Sequence, residues 1–324
     1  MPNPSSSLST LRPDLAESFM EFDLAMDQQG FISHKVFPVV EVASQSGNFG
    51  KIPLEQLLQQ RDTKRAPGSG YNRGNWTFEP STYTCLEHGA EEPVDDREAE
   101  MYAEYFDAEQ IASMRAYASV LRNAEQRVAD AVFNATTFAS YTTAVTNEWD
   151  DSTNATPITD VEAAVQSIYD ASGLWANALI VNKKVFRNIR NTDQVKDRIA
   201  ASGAGSANAA GLVNERILAE IFDLEHIIVA GASKNNAVEG QTASPVQIWD
   251  GEYAMVARIA DTADFREPCV GRTFHWGADG SSIGGTVEQY RDEAVRSNIY
   301  RVRHDVDEVL LYAAAGHLLS NITT

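Results

Sequence analysis

Arg61-Asp62-Thr63-Lys64-Arg65-Ala66-Pro67-Gly68-Ser69-Gly70 stands in the middle of a stretch, residues 43–95, that is long, polar and poor in apolar periodicity. Pro67-Gly68 followed by Gly70 is a strong turn signal. Beyond it, Trp76-Thr77-Phe78-Glu79 alternates, and Tyr83-Thr84-Cys85-Leu86-Glu87 reads as the strand continued. The stretch is therefore expected to form a long hairpin with a glycine-rich bend. A connection of this length without a core of its own is either functional or disordered. An isolated two-stranded hairpin is only marginally stable in water. Such an arm needs a partner surface, which points to a subunit of an assembly rather than to a self-sufficient enzyme.

On the N-terminal side, Leu15, Phe19, Phe22 and Met26 recur at helical spacing after Pro13-Asp14. Lys35-Val36-Phe37-Pro38-Val39-Val40-Glu41-Val42 is a short β-rich run, and Pro38 suits it to a sheet edge. On the C-terminal side, residues 95–134 keep apolar side chains near the helical period: Met101, Tyr105, Ala108, Ala112, Tyr117, Leu121, Ala124, Val128 and Ala131. Glu98, Glu100, Glu104 and Asp107 come early and Arg115, Arg122 and Arg127 later, an order that complements the helix dipole. One uninterrupted long helix is expected. A second helix is expected from Thr159-Asp160-Val161-Glu162. From 174 onward the pattern becomes α/β. Ala178-Leu179-Ile180-Val181 and Ile227-Ile228-Val229-Ala230 read as buried strands, 184–199 and 212–222 as helices, and 232–243 as a polar loop. Tyr300, Val302, His304 and Val306 alternate with Arg301, Arg303, Asp305 and Asp307, a half-buried strand with one charged face.

Composition narrows the function. The 324 residues are 43% hydrophobic, enough for a substantial core. The two cysteines, Cys85 and Cys269, form no CxxC pair, and this fits a reducing compartment. The N-terminal residues lack the basic start and apolar core of a signal peptide. No window reaches the roughly 18 consecutive apolar residues a membrane helix needs. A soluble protein with no membrane partner is expected. The net charge of −20 is the reverse of the basic footprint that sequence-reading nucleic-acid binders carry.

Catalytic signals are thin. Gly280-Ser281-Ser282-Ile283-Gly284 matches the nucleophile-elbow pattern with Ser282 as nucleophile, and Asp305 and His317 would complete a triad. A real elbow needs a strand before and a helix after, and Gly284-Gly285 discourages the helix. Gly68-Ser69-Gly70 lacks the ending of a phosphate loop. The six histidines show no HxH or HxxxH spacing, so no metal site and no cofactor are expected. No catalytic residue is assigned.

One charge pattern is informative. Arg61, Lys64, Arg65 and Arg73 lie together on the arm, and Glu91, Glu92, Asp95 and Asp96 lie together at the expected start of the long helix. The expectation is that the basic arm of one copy docks on the acidic helix start of the next.

The ordered parts resemble the major capsid proteins of tailed double-stranded DNA bacteriophages, which share the Hong Kong 97 phage capsid fold. The pieces that carry the resemblance span nearly the whole chain: 35–42 leading into the arm, Arg65-Ala66-Pro67-Gly68 within it, Tyr83-Thr84-Cys85 after it, Ala178-Leu179-Ile180-Val181-Asn182, Val185-Phe186, Asp197-Arg198-Ile199, and Leu218-Ala219-Glu220-Ile221-Phe222 before Ile227-Ile228-Val229-Ala230-Gly231. The resemblance implies an α+β chain in five parts. These are an N-terminal arm and first strand at 1–42, an extended loop at 43–95, a peripheral domain with its spine helix at 96–173, an axial domain at 174–260, and a return to the peripheral domain at 261–324. It further implies hexamers and pentamers in an icosahedral shell around double-stranded DNA, assembled in the host cytoplasm. A separate scaffolding protein and a portal are implied as partners, and a decoration protein is compatible. Only about 40 residues precede the arm, too few for a long N-terminal scaffolding segment. Lys51 and Lys64 match no acceptor Asn, so covalent cross-linking is not expected. An encapsulin-like nanocompartment is the alternative with the same fold.

Overall fold

The computed structural model describes residues 10–11, 30–51, 53, 56, 58–75, 77, 79–102, 107–201, 213–238, 240–262, 264, 266–278 and 283–323. The N-terminal apolar piece at 15–26 lies outside them. Two sheets and a long helix organise the rest.

The first sheet is built around β14 (Ser297–Leu310), which pairs antiparallel with β13 (Thr286–Asp292), β5 (Leu86–Asp95) and β12 (Gly271–Trp276). β1 (Thr10–Leu11) adds to β13. β2 (Val39–Val42) runs parallel to β12 and ends the strand order. Pro38 thus enters an edge strand, as its missing N–H requires. Tyr300, Val302, His304 and Val306 are buried, as the alternation demands. Asp305 departs from it, being 2% exposed with Arg303 at 3.4 Å.

The second sheet has the order β6 (Thr142–Ala144), β15 (Gly316–Ser320), β11 (Tyr253–Ala257), β7 (Ala178–Asn182), β8 (His226–Ala230). Its central strands are buried on both faces, and their side chains sort by parity. Leu179, Val181, Ala254 and Val256 face one core, and Ala178, Ile180, Met255 and Ala257 the other. That is the two-residue period of a strand covered on both sides. Helices α4 (Pro157–Ser172), α5 (Lys183–Asn191), α6 (Asp193–Ala201) and α7 (Glu215–Phe222) cover the first face through Val161, Ile168, Val185, Val195 and Leu218. Within the range expected to return to the peripheral domain, β12 to β14 lie in the first sheet. β15 instead joins the second.

The expected long helix is two helices. α2 (Asp96–Tyr102) is separated from α3 (Ala108–Val132) by Asp107, whose extended backbone and carboxylate cap a new N-terminus by accepting from the Glu109 and Gln110 amides. α3 alone is about 38 Å long at 1.5 Å per residue. Its first half packs Ala116, Tyr117 and Val120 on the first sheet. Its second half packs Val128, Ala129 and Val132 under the second. One rigid rod therefore ties the two sheets.

Other boundaries shift for local reasons. α4 starts at Pro157, which occupies its first turn, so Thr159 lies inside the helix rather than capping it. β9 (Ser233–Asn235) lies within what reads as a polar loop and pairs with β10 (Pro245–Gln247) just beyond it.

Candidate assembly surface

The arm leaves the body on two strands, β3 (Ser46–Lys51) and β4 (Glu79–Thr84), paired in register from Ser46–Thr84 to Lys51–Glu79. Its root is fixed by aromatic packing on the first sheet. Tyr83 stacks on the buried ring of Phe274 with centroids 4.8 Å apart, and Phe49 lies 5.7 Å from the same ring. Lys51 donates to the Leu311 carbonyl at 2.5 Å and sits 4.6 Å from the centre of the Tyr312 ring. The Thr84 amide donates to Asp307 at 2.8 Å. Cys85, buried just beyond, has its thiol pushed up to about 11 by burial and then by Asp307 and Asp305, so it stays protonated at neutral pH.

Beyond the root, polar contacts within the arm help to shape it. The Thr77 amide donates to the Gln56 side chain at 3.0 Å. At the tip, Ala66-Pro67-Gly68-Ser69 is a type II turn. Pro67 fixes its second position, Gly68 takes φ +84°, and the Ser69 amide donates to the Ala66 carbonyl at 3.1 Å. Arg65 donates to the Ser69 carbonyl at 2.6 Å and lies over the Tyr71 ring at 4.8 Å. The Arg61 guanidinium lies against Gly74, leaving no room for a side chain there. Lys64, Arg65 and Arg73 are exposed, and Arg61 is half-buried. All four stand on the same segment of the arm, 58–75.

The acidic partners stand differently from their expected setting. Glu91 and Glu92 lie on β5, not at a helix start, because β5 continues to Asp95 along β14. They are also engaged within the chain. Arg301 reaches Glu91 at 2.6 Å, Arg115 reaches Glu92 at 3.6 Å, and Arg291 grips Asp96 through two bonds of 2.5 and 2.6 Å. The Arg291 bond holds the Asp96 carboxyl below its usual range. Asp95 accepts from the Arg97 amide at 2.9 Å.

One decisive residue escaped the sequence reading. Glu125 of α3 is fully buried, and its carboxylate accepts from the Ile32 amide at 2.9 and 3.1 Å, the Ser33 amide at 2.8 Å and the Trp249 indole at 2.5 Å. It also caps α1 (Ser33–Val36). Its only sequence signal was a charged residue between Leu121, Ala124 and Val128 of the apolar stripe.

The hydrolase pattern finds no support among the described residues. Ser282 lies outside them. Ile283-Gly284-Gly285 runs into β13, a strand where an elbow needs a helix. His304 donates its Nδ1–H to the Ile283 carbonyl, 3.1 Å away, and burial pushes its pKa down to about 4. His317 lies in the other sheet from Asp305, bonded to Thr143 at 3.0 Å. Glu225, His226 and Asp261 gather on the surface with ligand atoms within 4.8 Å of one another. Asp261 there already meets Arg258 at 3.4 Å, a cation that opposes a metal ion. No described helix is long and apolar enough to cross a membrane.

No protein-family model matches the chain. It is 24% identical over 295 residues to the major capsid protein of Pseudomonas phage JBD67, covering 90% of this chain and 91% of that one. A phage-related protein of Bordetella bronchiseptica RB50 superposes with a TM-score of 0.68 at 20% identity, over 97% of this chain and 98% of the other. The capsid structure of cyanophage P-SCSP1u matches with a TM-score of 0.58 at 11% identity, over 88% and 86%. The Mycobacterium phage Adephagia structure gives 0.56 at 10% identity, over 90% of each chain. The chain thus has the α+β fold of phage capsid proteins, the Hong Kong 97 type, and its resemblance to a phage major capsid protein runs nearly end to end.

Proposed function

We propose that this chain is the major capsid protein of a tailed double-stranded DNA bacteriophage, a structural shell subunit and not an enzyme. Hexamers and pentamers of it would tile an icosahedral head in the virion, formed in the host cytoplasm around a scaffolding protein and a portal. The observation that carries this reading is the arm. It has a root fixed by Tyr83, Phe274 and Lys51, and an outer part, 58–75, almost wholly exposed and without a core. Chains buried in neighbours gain stability that the arm alone lacks. The similarity to a phage major capsid protein over most of both chains supports the same reading.

Lys64, Arg65 and Arg73 lie exposed on the arm, where a neighbour could meet them. In the acidic cluster proposed as their dock, Glu91, Glu92 and Asp96 already meet Arg301, Arg115 and Arg291, and exposed pairs of that kind contribute only ~0–1 kcal/mol each. A dock using Glu91, Glu92, Asp95 and Asp96 would therefore exchange partners rather than fill empty ones. The acidic surface suits a wall that holds DNA loosely. Electron microscopy of the protein expressed alone and with its scaffold tests the function. Closed icosahedral particles are expected, and monodisperse monomers under all conditions would overturn it. Particles that enclose a cargo enzyme instead of DNA would move the reading to a nanocompartment.

A further inference from the structure

We infer that the C-terminal end of α4, with Tyr169, Gly173 and Trp175, is the seat for Leu58 of a second copy's arm. The inference rests on the shell reading and names the surface that one arm would occupy.

Gly173 ends α4 in the left-handed conformation, φ +70°, with its amide on the Tyr169 carbonyl at 2.7 Å. Without a side chain it leaves a notch. The Leu58 side chain of the same molecule fills that notch: a Cβ at 173 would fall 2.3 Å from the leucine Cδ1. The notch is therefore shaped for a leucine. Beside it, Tyr169 and Trp175 stack at 4.4 Å with an interplanar angle of 23°.

The contact is unfinished within one chain. Leu58 is 58% exposed, Trp175 58% and Tyr169 41%. Stacked aromatics left in water beside an aliphatic side chain are the composition of an interface centre. The rim agrees in charge. Glu162 and Asp170 are exposed on α4, and the arm carries Arg61, Lys64, Arg65 and Arg73 beyond Leu58. A contact that an arm makes with its own body can be made equally with a neighbour's. That is the low-cost route of swapped assemblies, and the high local concentration of copies in a shell favours it.

The test uses two single-cysteine variants, L58C and W175C, since the native Cys85 and Cys269 are buried. The two are mixed, assembled into particles and treated with a short bismaleimide. A cross-linked dimer is expected on a denaturing gel from mixed particles, and none from either variant alone. Absence of that dimer overturns the inference, and a double variant L58C/W175C that closes only within one chain would show the arm parked on its own body. Failure of wild-type chains to form particles at all would be seen by microscopy, and would overturn the shell reading and the inference with it.

Discussion

The Glu125 carboxylate accepts the Trp249 indole N–H at 2.5 Å across 124 residues of sequence. With the Ile32 and Ser33 amides it joins three segments far apart in sequence: the start of α1, the middle of α3 and the loop before β11. Buried polar groups of this kind are costly only when a partner is lost.

Replacing Glu125 by Ala should therefore be among the most damaging single changes in the chain. It strands two amides and an indole in an apolar setting, a loss of about 3–5 kcal/mol. Glu125→Gln keeps one acceptor oxygen and should lose less. Thermal unfolding of the unassembled subunit, followed by tryptophan fluorescence, orders the two variants; equal midpoints for wild type and E125A would refute the role.

Stability should fall as pH drops from about 6.5 towards 4. His304 is neutral in the folded chain down to about 4, held so by burial and by the nearby Arg127, while the unfolded chain binds its proton from the ordinary value of 6.5. The unfolded state thus takes up more protons across that window, and acid favours it. The difference between 6.5 and about 4 corresponds to ~3 kcal/mol at most. Urea midpoints measured at pH 7 and pH 4.5 should separate less for His304→Gln than for wild type.

Reversing Arg61, Lys64 and Arg65 to Glu should block assembly and leave the fold intact, because 58–75 contributes nothing to the two cores. Far-UV circular dichroism should be unchanged while sedimentation shows no particles. Normal particles from the triple variant would remove the arm's charge from the account.

Purified empty shells should release duplex DNA at moderate salt, since a net charge of −20 per chain offers few phosphate contacts. Retention of DNA in a filter-binding assay at that salt would count against the acidic wall.

Much of the fold was legible because its signals are local. The alternation of 300–306, the continuous apolar runs at 178–181 and 227–230, the turn at Pro67-Gly68 and the helical period of 108–132 each follow from a few adjacent residues. Asp107-Ala108-Glu109-Gln110 has the spacing of a capping box, and the break in the long helix could have been read from it.

The sequence by itself determined the elements, the polarity of the arm and the absence of any strong catalytic motif, because periodicity and turn chemistry act over three to ten residues. Only the tertiary structure decided where the charges end up. Glu91, Glu92 and Asp96 meet arginines 23 to 210 positions away along the chain because β5 continues onto β14 and α3 packs across the sheet, and strand pairing depends on register over the whole fold. It alone placed β15 in the second sheet, turned Glu125 inward, and set Leu58 in the notch of Gly173. Each of those depends on which surfaces the packed elements bring together, and no short window of sequence contains that information.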